Sequence, residues 1–200
     1  MKQVSLSGSP RADVGRKGAA ELRRSGRIPG VIYGGDKQVP FSVSIVDWDK
    51  IIASPDTLQI NLEVGGKTYP TIIQESQQNP VTDVVTHIDL LELVSGKNVR
   101  TKLPVRATGS SEGVKAGGKL VQPYRKVRVF GDPAKFPDDI QVDISPLQIG
   151  DMIRVRDLKA DGFKILEAEA SAVVAVQATR ASIADATAAA AAAAGDKKKK

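Results

Sequence analysis

TLQINLEVGGKTYPTIIQ, residues 57–74, alternates apolar and polar side chains strictly up to a glycine pair and then returns as a second extended stretch. Leu58, Ile60, Leu62 and Val64 fall on one face, the period-two pattern of a half-buried strand. Gly65-Gly66 supplies the backbone freedom a tight turn needs, and Lys67 to Gln74 then returns as a second strand, so the stretch reads as a β-hairpin. Upstream, Lys2 to Ser7 reads as a strand with Val4 and Leu6 on one face. Ser9 to Gly18 reads as a loop, and Ala19 to Ser25 as a short helix stopped by Gly26 and Pro29. Val31 to Tyr33 is a strand ending at Gly34-Gly35, and Val39 to Ile45 alternates again. Asp47 to Ala53 suits a short helix with Trp48, Ile51 and Ile52 apolar. Downstream, residues 74–83 read as a polar loop before a strand from Val84 to Leu91. Helix–strand alternation is too weak for a parallel βαβ sheet. The expected fold is mainly β: a small N-terminal β-barrel with short helices.

Leu93 to Lys97 reads as a junction. Six further strands are expected at Val99–Ala107, Leu120–Phe130, Ile140–Ile144, Met152–Val155, Phe163–Leu166 and Ala172–Gln177, with turn residues between them. This predicts a second all-β domain. The expected organisation is therefore a barrel over 1–95, a second β domain over 96–178, and an Ala/Lys tail over 179–200 forming a frayed helix or disordered. Each domain is small enough that its core is modest.

The chain has 200 residues and a net charge of +6, but the charge is concentrated at its ends. Residues 1–35 hold seven Lys and Arg against two Asp and Glu, and residues 179–200 five against two. Those segments carry +5 and +3, which leaves −2 for everything between. Basic segments favour polyanions. The alanine-rich tail ending in KKKK is low complexity and reads as solubilising, with a weak, non-specific RNA contact as the alternative. The N-terminal segment instead interleaves its cations with Gly, Leu, Ile and Tyr, so it can fold and place them.

Much chemistry is excluded. Without cysteine there are no disulfides, thiolate nucleophiles or thiolate zinc sites. A lone His87 rules out a multi-histidine metal site within one chain, and no cofactor is implied. No Gly-x-Ser-x-Gly elbow, H-E-x-x-H pair or Walker phosphate loop occurs. AGGKL, residues 116–120, reads as a β-turn, and Asp138-Asp139 as a solvated loop pair. No apolar run suits a membrane span, and the N-terminus lacks the apolar core of a secretory signal. An enzyme is not expected.

Nucleic acid fits better. Residues 16, 20, 23, 24 and 27 approximate one face of a helix, so Arg16, Lys17, Arg23, Arg24 and Arg27 are candidate RNA contacts. Arginine forks suit phosphate oxygens and guanine edges. His87 and Asp89, two apart on a strand, share a face. They can exchange hydrogen bonds with bases or riboses, or simply with each other inside the fold.

The stretches ELRRSGRIPGVIYGG (21–35), HIDL (87–90) and GVKAGGKL (113–120), in that order, resemble the bacterial large-subunit ribosomal protein L25 family in its two-domain Ctc form. The resemblance spans roughly residues 4–177. It implies a cytoplasmic ribosomal protein, monomeric within the ribosome, that binds 5S rRNA through its barrel and neighbours other large-subunit components. No membrane or small-molecule substrate is implied. By resemblance the RNA contacts fall on Arg11, the Arg23-Arg24 pair with Arg24 favoured, Tyr33, His87 and Asp89. The alternative is a stress-related, ribosome-associated adaptor whose C-terminal domain binds a protein.

Overall fold

The structure, a computed structural model, describes residues 1–35, 37–94, 96–160 and 162–180. The expectation of a frayed or disordered tail falls on residues 181–200, outside the described residues. The described residues fall into two compact units, one drawn from residues 1–104, 129–138 and 162–164, the other from 105–128, 139–160 and 165–180.

The first six strands close into a barrel. They are β1 (Lys2–Pro10), β2 (Arg27–Tyr33), β3 (Val39–Ser44), β4 (Leu58–Val64), β5 (Lys67–Gln78) and β6 (Val85–Glu92), ordered β1-β3-β2-β6-β5-β4. Helix α1 (Arg16–Arg24) joins β1 to β2, and α2 (Ile45–Ile52) joins β3 to β4. The 57–74 hairpin forms as read, with Val64 opposite Lys67 across glycines of positive φ. Closure gives every strand of the barrel a neighbour on both sides, although β1 meets β3 only at Ser9 and Pro10. It also makes the sheet mixed: β1 runs parallel to β4 from Lys2↔Leu58 to Gly8↔Val64, and β2 parallel to β6 from Gly30↔Ile88 to Tyr33↔Leu91.

Alternate residues fill the interior. Ile28, Ile32, Phe41, Val43, Ile60, Leu62, Ile88 and Leu90 are fully buried, and α2 adds Trp48 and Ile51 to the same cluster. Each such side chain contributes about 1.5–3 kcal/mol on burial. Gly30 faces inward where there is no room for a side chain. A Cβ there would lie 2.6 Å from the Phe41 ring and 2.8 Å from the Ile88 carbonyl oxygen.

Several boundaries differ from the sequence reading. β1 runs on to Pro10 and α1 starts at Arg16, so the expected 9–18 loop shrinks to residues 11–15. α1 ends before Gly26, whose φ is 75°, and Arg27 lies in β2 rather than on the helix face assigned to it. A left-handed residue turns the chain, so the helical phase of residues 16–24 does not carry to 27. β5 continues to Gln78 through residues read as a polar loop. Its ladder is made by backbone groups, and outward polar side chains do not oppose it.

The remaining strands form two sheets. They are β7 (Val99–Thr108), β8 (Lys119–Val121), β9 (Lys126–Gly131), β10 (Ile140–Asp143), β11 (Met152–Arg154), β12 (Phe163–Ile165) and β13 (Ala172–Gln177). One sheet has the order β10-β7-β9-β12 and the other β11-β13-β8. The expected strand Leu120–Phe130 is two strands in different sheets. Pro123 interrupts it, since proline cannot donate to a ladder. The Gln122 side-chain amide there donates to the Val105 carbonyl at 2.9 Å. A one-turn helix α3 (Glu112–Lys115) precedes the Gly117 turn, with the Ser111 hydroxyl accepting from the Val114 N–H.

Candidate nucleic-acid interface

With Ile32, Ile88 and Leu90 pointing inward, strand alternation turns Tyr33, His87 and Asp89 outward. The parallel β2–β6 register sets Val31 beside Asp89 and Tyr33 beside Leu91. On the other side of β6, β5 places Glu75 opposite Asp89 and Gln77 opposite His87. Two irregularities in that pairing, at Ile73/Glu75 and Gln77/Gln78, shift the alternation. They let Val85 and Ile88, three apart, both face the core.

His87 and Asp89 meet on this face. The imidazole Nδ1 and the Asp89 Oδ1 are 2.8 Å apart, and both side chains are about a quarter exposed. The contact weighed from sequence as a purely structural alternative therefore exists, on the outer surface of the barrel. With Nδ1–H donating to the carboxylate, Nε2 is the ring atom left for another partner. The Tyr33 phenol is pushed above its ordinary value, first by burial and then by the Asp89 and Glu75 carboxylates. Its hydroxyl therefore remains a hydrogen-bond donor throughout the physiological range.

The cations divide into two groups. Arg16, Lys17 and Arg24 are exposed on α1, and their side chains make no hydrogen bond or ion pair among the described residues. Arg16 and Lys17 stand at the helix N-terminus, where the macrodipole disfavours cations and favours anions. Arg23 and Arg24 lie in the last turn, where cations are favoured. Arg23 is also tethered: its Nε donates to the Thr86 carbonyl at 2.9 Å, holding α1 beside the residue that precedes His87.

Arg27 is committed more fully. Its Nε donates to the Ser42 hydroxyl, and its Nη2 to the Ser9 hydroxyl and the Ser42 carbonyl, at 2.9–3.2 Å. Arg11 follows β1, with Nη2 donating to the Gly15 carbonyl at 3.3 Å and a buried Nε that has no partner.

The structure thus gathers Tyr33, His87 and Asp89 on one face, ties Arg23 to its edge, and places Arg27 at the β1–β3 seam. Glu75, Gln77 and the Thr86 carbonyl also belong to this surface and were missed in the sequence. Continuing the second strand of the hairpin through QESQQ, rather than ending it at Gln74, is what brings Glu75 and Gln77 beside HID. Among the described residues no group of three His, Asp or Glu is placed to hold a metal ion, and no helix is long and apolar enough to cross a membrane.

Residues 6–90 match the Ribosomal L25p family, and residues 98–180 match the ribosomal protein TL5, C-terminal domain. The chain is 40% identical over 184 residues to the large ribosomal subunit protein bL25 of Porphyromonas gingivalis, covering 91% of this chain and 96% of the relative. It is 37% identical over 180 residues to that of Cytophaga hutchinsonii, covering 90% and 94%. It is 36% identical over 181 residues to that of Amoebophilus asiaticus, covering 90% and 92%.

Proposed function

Because the chain belongs to the bL25 family of bacterial ribosomal proteins, in its two-domain Ctc-type form, we propose that it is a structural constituent of the large ribosomal subunit that binds 5S rRNA through residues 1–95. As a ribosomal protein it is non-enzymatic and works in the cytoplasm, among the other components of that subunit.

The observation that carries the 5S rRNA reading is the outward constellation of Tyr33, His87 and Asp89 beside a helix with unpaired cations. A regular A-form major groove is too narrow for side chains, so the fitting target is a helix distorted by irregular base pairs. Asp89 repels phosphate and accepts from base amino or imino groups or a ribose hydroxyl. Arg16, Lys17 and Arg24 supply attraction to the backbone. Arg23 has its Nε held by the protein while its Nη groups stay unused, so the fork is partly ordered before RNA arrives. Arg11 adds a further cation at the end of β1.

A competition titration of the full chain against 5S rRNA, with tRNA as competitor, tests this. Wild type holds 5S rRNA against tRNA, while Arg24→Ala and Asp89→Asn lose affinity. With about four phosphates neutralised, log K falls with log salt at a slope of roughly −3 to −4. Equal competition by tRNA together with a silent Asp89→Asn would defeat the proposal.

A further inference from the structure

We propose that Arg27 is a positioning residue for RNA binding: it locks the β1–β3 seam and thereby places Arg11. This rests on the RNA-binding reading above. The seam is the weakest joint of the barrel. β1 meets β3 only at Ser9↔Ser42 and Pro10↔Phe41, and Pro10 has no N–H to give. By contrast β2 pairs with β3 continuously from Arg27↔Ser44 to Ile32↔Val39.

Arg27 projects from the first position of β2 and spans that joint. It bonds Ser42 of β3 through both hydroxyl and carbonyl, and Ser9 of β1 through its hydroxyl. Three donations fix the guanidinium to two neighbouring strands and use both Nη2 hydrogens and Nε–H.

Arg11 begins just past the joined residues. Its backbone N–H donates to the Pro40 carbonyl at 3.2 Å, which continues the seam by one residue. Its side chain has little of its own to hold it. One contact to Gly15 is 3.3 Å long, and the buried Nε is unpartnered. The position of the Arg11 guanidinium is therefore set by the end of β1, and that end is set by Arg27.

A double-mutant cycle on 5S rRNA affinity, in the full chain, tests the proposal. Arg11→Ala and Arg27→Ala each weaken binding about tenfold, the scale of one charge-assisted hydrogen bond. In the Arg11→Ala background, Arg27→Ala costs less than about twofold. In the Arg24→Ala background it still costs about tenfold. Both single substitutions lower the salt slope by the same amount, about 0.9. Arg27→Lys stays weak, because a lysine keeps the charge but cannot span Ser9 and Ser42.

Losses that multiply fully in the Arg11→Ala background, or rescue by Arg27→Lys, overturn the positioning role. General unfolding gives equal losses in both backgrounds and overturns it too. A wild type that does not prefer 5S rRNA over tRNA fails at the earlier reading, which separates the two outcomes.

Discussion

Gly30→Ala adds one methyl group to the inner wall of the barrel, directly behind the candidate interface. The new Cβ would stand 2.6 Å from Phe41 Cζ, 3.0 Å from Phe41 Cε1 and 2.8 Å from the Ile88 carbonyl oxygen. Phe41 is fully buried in a filled core, so its ring has no free volume to turn into. The Ile88 carbonyl is backbone in the middle of β6 and yields only if the strand moves. Overpacking of this kind costs about 1–3 kcal/mol, and a backbone neighbour places this case near the top of that range. Loss of glycine's freedom in the unfolded chain returns about 0.4–1 kcal/mol. The net destabilisation is about 2 kcal/mol, and at roughly 4–8 °C per kcal/mol for a domain of this size Tm falls by about 8–16 °C. Thermal unfolding followed by circular dichroism reads the shift. Because Ile88 lies between His87 and Asp89, 5S rRNA affinity falls with it. Phe41→Leu in the same chain recovers part of the loss by opening space on the ring side. A Tm shift under about 3 °C, or no recovery with Phe41→Leu, would refute the packing argument.

Trp48 is fully buried with its indole N–H unpartnered. Trp48→Phe removes that donor, a group costing about 1–3 kcal/mol when unsatisfied, against the packing lost with the smaller ring. Denaturant unfolding should place this variant within about 1 kcal/mol of wild type, whereas Trp48→Ala costs about 3–5 kcal/mol. Tyr33 should ionise above the ordinary phenol range, measured as the ultraviolet difference between wild type and Tyr33→Phe. Asp89→Asn brings its pKa down only part of the way, since burial is the larger cause. The folded state holds this proton longer than the unfolded chain. The linked stability is therefore present below the ordinary phenol value and lost as pH rises through the raised one.

The barrel was legible because its inward positions largely obey a period of two, unbroken in β4 from Leu58 to Val64. Of the candidate site, the shared outward face of His87 and Asp89 was legible from their spacing on one strand. Where two periods met, the reading failed. Helical phase was carried from Arg24 to Arg27, although Gly26 resets the backbone between them. The run from Leu120 to Phe130 reads as one β-rich stretch, while Pro123 sends its halves to different sheets. Partners were the least visible. Nothing in the order of residues says that Arg23 reaches the Thr86 carbonyl or that Arg27 reaches Ser9, because those distances exist only after closure.

The parallel pairings carry a consequence for how the protein is made. β1 pairs with β4, and β2 with β6, so the first strands of the chain wait for partners that leave the ribosome much later. Contacts so distant in sequence slow folding, because loop closure is paid in entropy before the contacts form. The 57–74 hairpin can form early and locally. Tyr33 cannot meet Asp89 until β6 has emerged and the ring is complete. A nascent chain shorter than the barrel therefore carries the basic helix without the face beside it. On the RNA-binding reading proposed above, such a chain attracts RNA by charge but does not yet distinguish one RNA from another.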